Sequence, residues 1–206
     1  MKRYRDQRNY ENVEKRKYDG AGPFDIPVLA PTPYEPCGFI GFNQHKCCQE
    51  KNRHGLHFFL DDYQFIRIWD RIDNYLPLFQ RFRFILSPDF SLYEDFPEAL
   101  QIYNHYRKHW IGAYLQDHGV AVIPTIAWSG LHSFSWCFDG EPVGGAVAVS
   151  SLGTQADRLA KELFLQGYQE MLDRLHPDTV LLYGSVPEEC AGNIIRIPAY
   201  QEKFRK

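Results

Sequence analysis

The sequence predicts an α/β fold built on a mainly parallel sheet with crossover helices, in the form of a small or incomplete (β/α) barrel. Three observations carry that reading. Short apolar runs recur along the chain and are continuously apolar rather than alternating, as strands covered on both faces are. Between them apolar residues recur at three- and four-residue steps, the period of a helix packed on one side. The resulting strand–helix–strand order calls for right-handed crossovers. The spacing of the runs fits an incomplete barrel at least as well as an open doubly wound sheet.

Residues 1–21 form a polar arm of mixed charge. Its first ten residues, "MKRYRDQRNY", have no apolar segment of the kind a secretion signal needs, so a cytoplasmic protein is expected. Residues 22–206 read as a single α/β domain, opened at 22–36 by a lead-in containing Pro23, Pro27, Pro31, Pro33 and Pro36. Proline fixes φ and biases the residue before it toward extended geometry, so this stretch crosses the domain without forming a helix.

The strands then follow in order. They are "GFIGF" (38–42), "LHFFL" (56–60), "FRFIL" (82–86), "VAVIPTIAW" (120–128), "AVAVS" (146–150), "TVLLY" (179–183) and the weaker "NIIRI" (193–197). A first helix is expected through Phe65, Trp69, Ile72 and Leu76, with Pro77 interrupting it. A second starts at Pro97, a favoured first position, and lines up Leu100, Tyr103, Arg107, Trp110 and Tyr114 before Gly119. A third is capped by Thr154, faces Leu159, Leu163, Met171 and Leu175 inward, and stops at Pro177.

Composition bounds the function. The 206 residues suit one domain, and the 16% aromatic content predicts a ring-rich core. No apolar run approaches the roughly 20 residues of a membrane helix, so no membrane partner is expected. A net charge of −3, from 23 basic and 26 acidic residues, argues against a protein that coats polyanions. The five cysteines (Cys37, Cys47, Cys48, Cys137, Cys190) are odd in number and lack framework spacing, which predicts reduced thiols, no disulfide and folding without zinc.

The segments "HFFLDDYQFIRIWDR", "LSPDFSLYEDFPEALQIYNHYR", "VIPTIAW" and "AVAVSSLGT" resemble those shared by domain-of-unknown-function family number 4417, a group from bacteria, phages and other mobile elements. The likeness runs over most of the chain from about Gly22, and "SPDFS" is its most specific part. It implies a shared fold and a mobile-element context. It supplies no activity, so the site must be argued from chemistry.

In parallel α/β folds functional groups gather where strands end. Those ends bring Asp61 and Asp62, then Ser87 and Asp89, then Trp128 and Ser129, then Ser150, Ser151 and Gly153, and finally Tyr183, Gly184 and Ser185. Asp61, Asp62 and Asp89 are the candidate catalytic carboxylates. Ser87, Trp128, Ser150, Gly153, Tyr183 and Ser185 are the candidate ligand-binding residues. Each has a plainer reading beside it. The Asp61–Asp62 pair can cap a helix, Asp89 can hold a local turn, and Trp128 can be packing. "SSLGT" places Gly153 before a helix whose N–H groups can receive an anion, although ordinary capping explains it too. Ser185 in "YGSVP" lacks the flanks of a nucleophile elbow. His45, Cys47, Cys48, His54 and His57 are possible metal ligands, but their spacing fits a loop with free thiols better than a zinc grip.

The expected function is a polar-ligand pocket at the strand C-termini, binding a polar small molecule or nucleic acid. As an enzyme it would be a carboxylate-dependent hydrolase of a nucleotide, nucleic acid or sugar, and a divalent cation such as Mg²⁺ suits such carboxylates. The alternative is a non-enzymatic replication-associated or host-interaction module that binds protein or nucleic acid.

Overall fold

A computed structural model of the chain describes residues 11–155 and 157–200. The stretch Met1–Tyr10 of the polar arm lies outside the described residues. The rest of the arm is docked. Asn12 is buried and donates from Nδ2 to the Trp69 carbonyl at 2.8 Å. The Trp110 indole donates to the Arg16 carbonyl at 3.0 Å, and Lys15 pairs with Asp73 at 2.7 Å. Strands β1 (Gly20–Ala21) and β2 (Ile26–Pro27) then pair antiparallel.

The remaining strands are all parallel to their neighbours and lie side by side in chain order. β3 (Gly38–Gly41), β4 (His54–His57), β5 (Phe84–Leu86) and β6 (Val122–Ile123) form one sheet. β7 (Ala146–Ser150), β8 (Thr179–Tyr183) and β9 (Ile194–Ile197) form a second. A parallel bridge from Thr125 to Ala148 joins the two, with Ile126 N–H donating to the Ala148 carbonyl at 2.7 Å. Each expected run contributes a strand, though 120–128 pairs only at Val122–Ile123 and 56–60 overlaps β4 only at its end, and sequential order is the barrel arrangement rather than the reversed order of a doubly wound sheet. Among the described residues no ladder joins β3 to β9, so the barrel is not closed.

Ring contacts show how far the sheet curls. The β5, β6 and β7 strands lie between β4 and β8, yet the rings of His57 and Tyr183 are 4.9 Å apart and those of Phe59 and Tyr183 4.7 Å. The interior is filled by Phe84, Leu86, Ile123, Ala146, Ala148, Leu181 and Ile197 beside those rings. The alternate residues face outward. Ile85 and Val122 join one aromatic-rich cluster, and Val147, Val149, Val180 and Leu182 join another. Both faces are therefore apolar, which is why the strands read as unbroken runs.

The Pro-rich lead-in closes the bottom. The Thr32 hydroxyl donates to the Val122 carbonyl at 2.7 Å, and the Thr32 carbonyl accepts from Ala146 N–H at 2.8 Å. It thus takes one ladder group from the start of β6 and one from the start of β7, where those strands do not pair. Tyr34 continues inward and stacks on Phe39 and Phe84.

The helices depart from expectation in detail. The first is split into α1 (Arg67–Asp70) and α2 (Ile72–Phe79), and α2 runs through Pro77 rather than ending there. In α3 (Glu98–Asp117) Pro97 stands just outside the first turn, and Leu100 is 41% exposed. The buried side carries Gln101, Asn104, His105, Arg107, Lys108 and His109 as well as Trp110 and Ile111. In α4 (Arg158–Leu175) the cap is Asp157, whose carboxylate accepts from Ala160 N–H at 2.9 Å, not Thr154. Its inward face is Phe164, Gly167, Tyr168, Met171 and Leu175, and Leu159 is 76% exposed. The five cysteines are free thiols. No helix among the described residues is long and apolar enough to cross a membrane.

Candidate functional site

A cavity of about 570 Å³ opens where the strands end. Its walls come from successive strand ends: Gly41 at the end of β3, Asp61 after β4, Asp89 after β5, Trp128 after β6, Ser150 at the end of β7 and Tyr183 at the end of β8. The shape follows from the curl of the sheet. The strands converge on one interior cluster, and the loops above it are left facing one another.

The loop after β5 is the most constrained part. Ser87 is fully buried, its Oγ accepts from Thr125 N–H at 2.8 Å, and its carbonyl accepts from the Thr125 hydroxyl at 2.8 Å. This pair of bonds extends the β5–β6 ladder past its last regular rung. Pro88 follows, and Asp89 enters the cavity wall. Two residues on, Ser91 donates to Asp62 from N–H at 3.2 Å and from Oγ at 2.8 Å. The Asn104 amide donates to the Ser91 carbonyl at 2.8 Å. Asp89 thus sits on a segment fixed at both ends.

Asp89 is half-buried, and its pKa is pushed up to about 7. Desolvation is the main cause. The Lys108 ammonium opposes it, and the Asp62 charge adds to it. A carboxyl that exchanges its proton near neutrality can act as a general acid or base. Lys108 itself is buried and donates to the Thr125 carbonyl at 2.8 Å and to Glu141 Oε1 at 2.6 Å.

The other expected site residues divide. Asp61 is exposed on the cavity wall and accepts from the Gln64 amide at 3.4 Å. It stands before a 3-10 turn (Asp62–Gln64) but makes no side-chain cap bond, so the capping alternative for it does not hold. Asp62 does not cap either; its carboxylate holds Ser91. Trp128 is on the wall but also rests on α4. A Cβ on Gly167 would lie 2.1 Å from the indole, and Phe164 is 5.6 Å away ring to ring. Ser150 is on the wall and accepts from Leu152 N–H at 3.2 Å. The Tyr183 hydroxyl accepts from Tyr200 N–H at 3.1 Å.

Three residues fall elsewhere. Ser87 is buried in the strand clip and does not line the cavity. Gly153 lies in a turn at φ +77, off the wall and ahead of the Asp157 cap, so its N–H is not at a helix start. Ser185 is exposed, and its carbonyl accepts from the Ser151 hydroxyl at 2.6 Å. The His45–His57 segment does not gather. His45 Nδ1 meets the Phe42 carbonyl and His54 Nδ1 the Glu50 carbonyl, while His57 joins the interior rings. Sequence reasoning passed over Asn43 and Gln64 on the wall, and it offered His57, also there, only as a metal ligand. The signal for His57 was its place two residues before Phe59, on the same face of one strand.

Residues 18–201 match the family described as Domain of unknown function (DUF4417). The chain is 37% identical over 195 residues to the Gene 1 protein of Mycobacterium phage L5, covering 92% of this chain and 85% of that one. It is 38% identical over 194 residues to the Gene 1 protein of Mycobacterium phage D29, covering 92% and 72%. No solved structure matches it.

Proposed function

The chain belongs to the family Domain of unknown function (DUF4417), and from that premise, which supplies no reaction, we propose that it binds a neutral, hydroxyl-rich ligand in the strand-end cavity and hydrolyses it by acid–base chemistry at Asp89. A sugar or the nucleoside part of a nucleotide is the class meant, and the phage relatives make a phage role the setting. The observation that carries the reading is a carboxyl near pKa 7 on the wall of a cavity large enough for one small ligand.

The rest of the lining supports the ligand class. Among the described residues it offers Asp61, Asp89, Ser150, Asn43 and Gln64 beside the rings of Trp128 and Tyr183, and no lysine or arginine. Carboxylates and amides accept and donate to hydroxyls, while aromatic faces cover the apolar side of a sugar or base. A bare phosphate there would face two carboxylates and no cation, so a phosphorylated ligand needs a divalent cation to bridge it.

The test is a thermal-shift screen with nucleosides, nucleotides and neutral sugars, each with and without Mg²⁺, followed by product analysis for any ligand that binds. The expected outcome is binding of neutral ligands that Asp89→Asn leaves largely intact while turnover disappears. Binding confined to polyanions without Mg²⁺, or turnover that survives in Asp89→Asn, overturns it. A chain that binds no small ligand and instead captures a protein through the rim favours the non-enzymatic module.

A further inference from the structure

Outside the cavity, α3 carries two histidines one turn apart, His105 and His109, and both are fully buried. Residues four apart share a helix face, and their rings here are 4.4 Å apart. Glu141, also buried, comes from the loop before β7. Its ligand atom and one nitrogen of each ring lie within 4.8 Å of one another, the one such grouping among the described residues.

The hydrogen bonds decide which ring nitrogens are available. His105 Nε2 faces the Asp139 carbonyl at 3.0 Å, and His109 Nδ1 faces the Pro27 carbonyl at 2.8 Å. A carbonyl only accepts, so each of these nitrogens carries a proton. In a neutral ring the opposite nitrogen then presents a lone pair. For His109 that lone pair is aimed at Glu141 Oε1, 2.9 Å away. Two electron pairs held face to face in a buried site call for a cation, and the Lys108 ammonium, 2.6 Å from the same Glu141 oxygen, is bonded to the carboxylate rather than to the His109 lone pair.

A proton on His109 is one such cation, and it would make an imidazolium–carboxylate pair. It explains that contact alone. His105 Nδ1 and Glu141 Oε2 are both buried atoms without a hydrogen-bond partner, and a proton on His109 serves neither. A metal ion serves all three groups at once.

We propose that His105, His109 and Glu141 form a binding site for one divalent transition-metal ion, of the class that two imidazoles and a carboxylate suit, with zinc the reference case. The surroundings have the features of such a site. Both histidines are oriented by backbone carbonyls, and Lys108 donates to Glu141 Oε1, leaving Oε2 for the metal. Tetrahedral ligands at about 2.1 Å stand about 3.4 Å apart. The present ligand atoms, within 4.8 Å of one another, must draw closer to reach that spacing. The His45–His57 loop, the metal-ligand candidate that the sequence offered, contributes none of these ligands. The site is separate from the cavity, so this proposal and the hydrolytic one stand or fall apart.

The test uses the full chain, purified without a histidine tag or chelator, and elemental analysis. Wild type is expected to retain about one metal ion per chain, as a site with two histidines and a carboxylate would. His105→Gln is expected to lose it, while His54→Gln in the surface loop keeps it. Glutamine can still donate to the Asp139 carbonyl, so the variant removes the ligand nitrogen while preserving the structural bond. A second measurement does not depend on that variant folding. Chelator-treated wild type titrated with Co²⁺ is expected to show saturable visible absorption of a low-symmetry site at one equivalent, and a raised Tm. Folded wild type that retains no metal and shows no saturable Co²⁺ signal overturns the proposal and leaves a proton-bridged pair. Metal retained by His105→Gln but lost from His54→Gln overturns it by putting the site in the loop.

Discussion

Asp89 is costly to the fold in its ionised form, and that cost can be measured. Its folded pKa of about 7 lies above the ordinary carboxylate value of 3.8. Between those two pH values the native chain holds a proton that the unfolded chain has released. Stability therefore falls as pH rises through this window, and the full deficit is present above the folded pKa. Asp89→Asn removes the ionisable group while keeping its shape. Urea unfolding of the variant is expected to show a gain on the order of 2 kcal/mol near about pH 8 and almost none near about pH 4. A residue that gains stability when neutralised, yet is needed for turnover, is the signature of a functional group held against the interest of the fold. A loss of stability at the higher pH would show that the ionised carboxylate has a strong partner, and the acid–base role would fail with it.

At the scale of elements, the seat of Trp128 depends on α4 having no side chain at Gly167. Alanine is ordinarily the better helix former by roughly 1 kcal/mol. Here its Cβ would lie 2.1 Å from the indole, so the ring must move. Gly167→Ala is expected to destabilise by about 1–3 kcal/mol, the usual cost of overpacking, and to change tryptophan emission as Trp128 shifts. A more stable variant with unchanged emission would mean the cavity wall is looser than this contact implies. The β5–β6 clip makes a second element-level case. Ser87→Ala leaves the buried Thr125 N–H without its acceptor, and a loss of about 1–3 kcal/mol is expected in chemical denaturation. A neutral result would mean that the loop carrying Asp89 is held by the bonds that remain, from the Thr125 hydroxyl to the Ser87 carbonyl and those joining Ser91 to Asp62 and Asn104.

For the whole molecule, the lead-in matters more than its lack of regular structure suggests. Ile26 and Leu29 are buried, Thr32 bonds to β6 and β7, and Tyr34 stacks inside the sheet. It fills the bottom of a barrel whose own strands leave a gap there. A chain beginning at Cys37 is expected to lose its near-UV circular dichroism and its cooperative unfolding transition, because interior rings and two ladder groups would be exposed together. Retention of both would show that the sheet closes over the gap without it.

Much of the architecture was legible because it depends on local composition. Strands buried on both faces must be apolar throughout, so "LHFFL", "FRFIL", "AVAVS" and "TVLLY" announced themselves and their parallel pairing. Placing Asp61, Asp89, Trp128, Ser150 and Tyr183 around one cavity also followed, since parallel strands deliver their ends to one side. The helix faces were harder. In α3 the inward side is polar, and Lys108 and His109 are buried because Glu141, Thr125 and Pro27 supply partners from far along the chain. No hydrophobic period can reveal that. The cap of α4 moved from Thr154 to Asp157 for a similar reason, because the turn at Ser151–Thr154 closes on itself first. Likewise the sequence marked Ser87, Gly153 and Ser185 as rim residues by position alone, and none lines the cavity, Ser87 being bonded to Thr125 and the Ser185 carbonyl to the Ser151 hydroxyl. By itself the sequence determined which segments are strands, that they run parallel, and which ends carry carboxylates. The curl of the sheet, the raised pKa of Asp89 and the meeting of His105, His109 and Glu141 were decided by tertiary structure alone, because desolvation and partner geometry depend on atoms that are distant in the chain and adjacent only in the folded molecule.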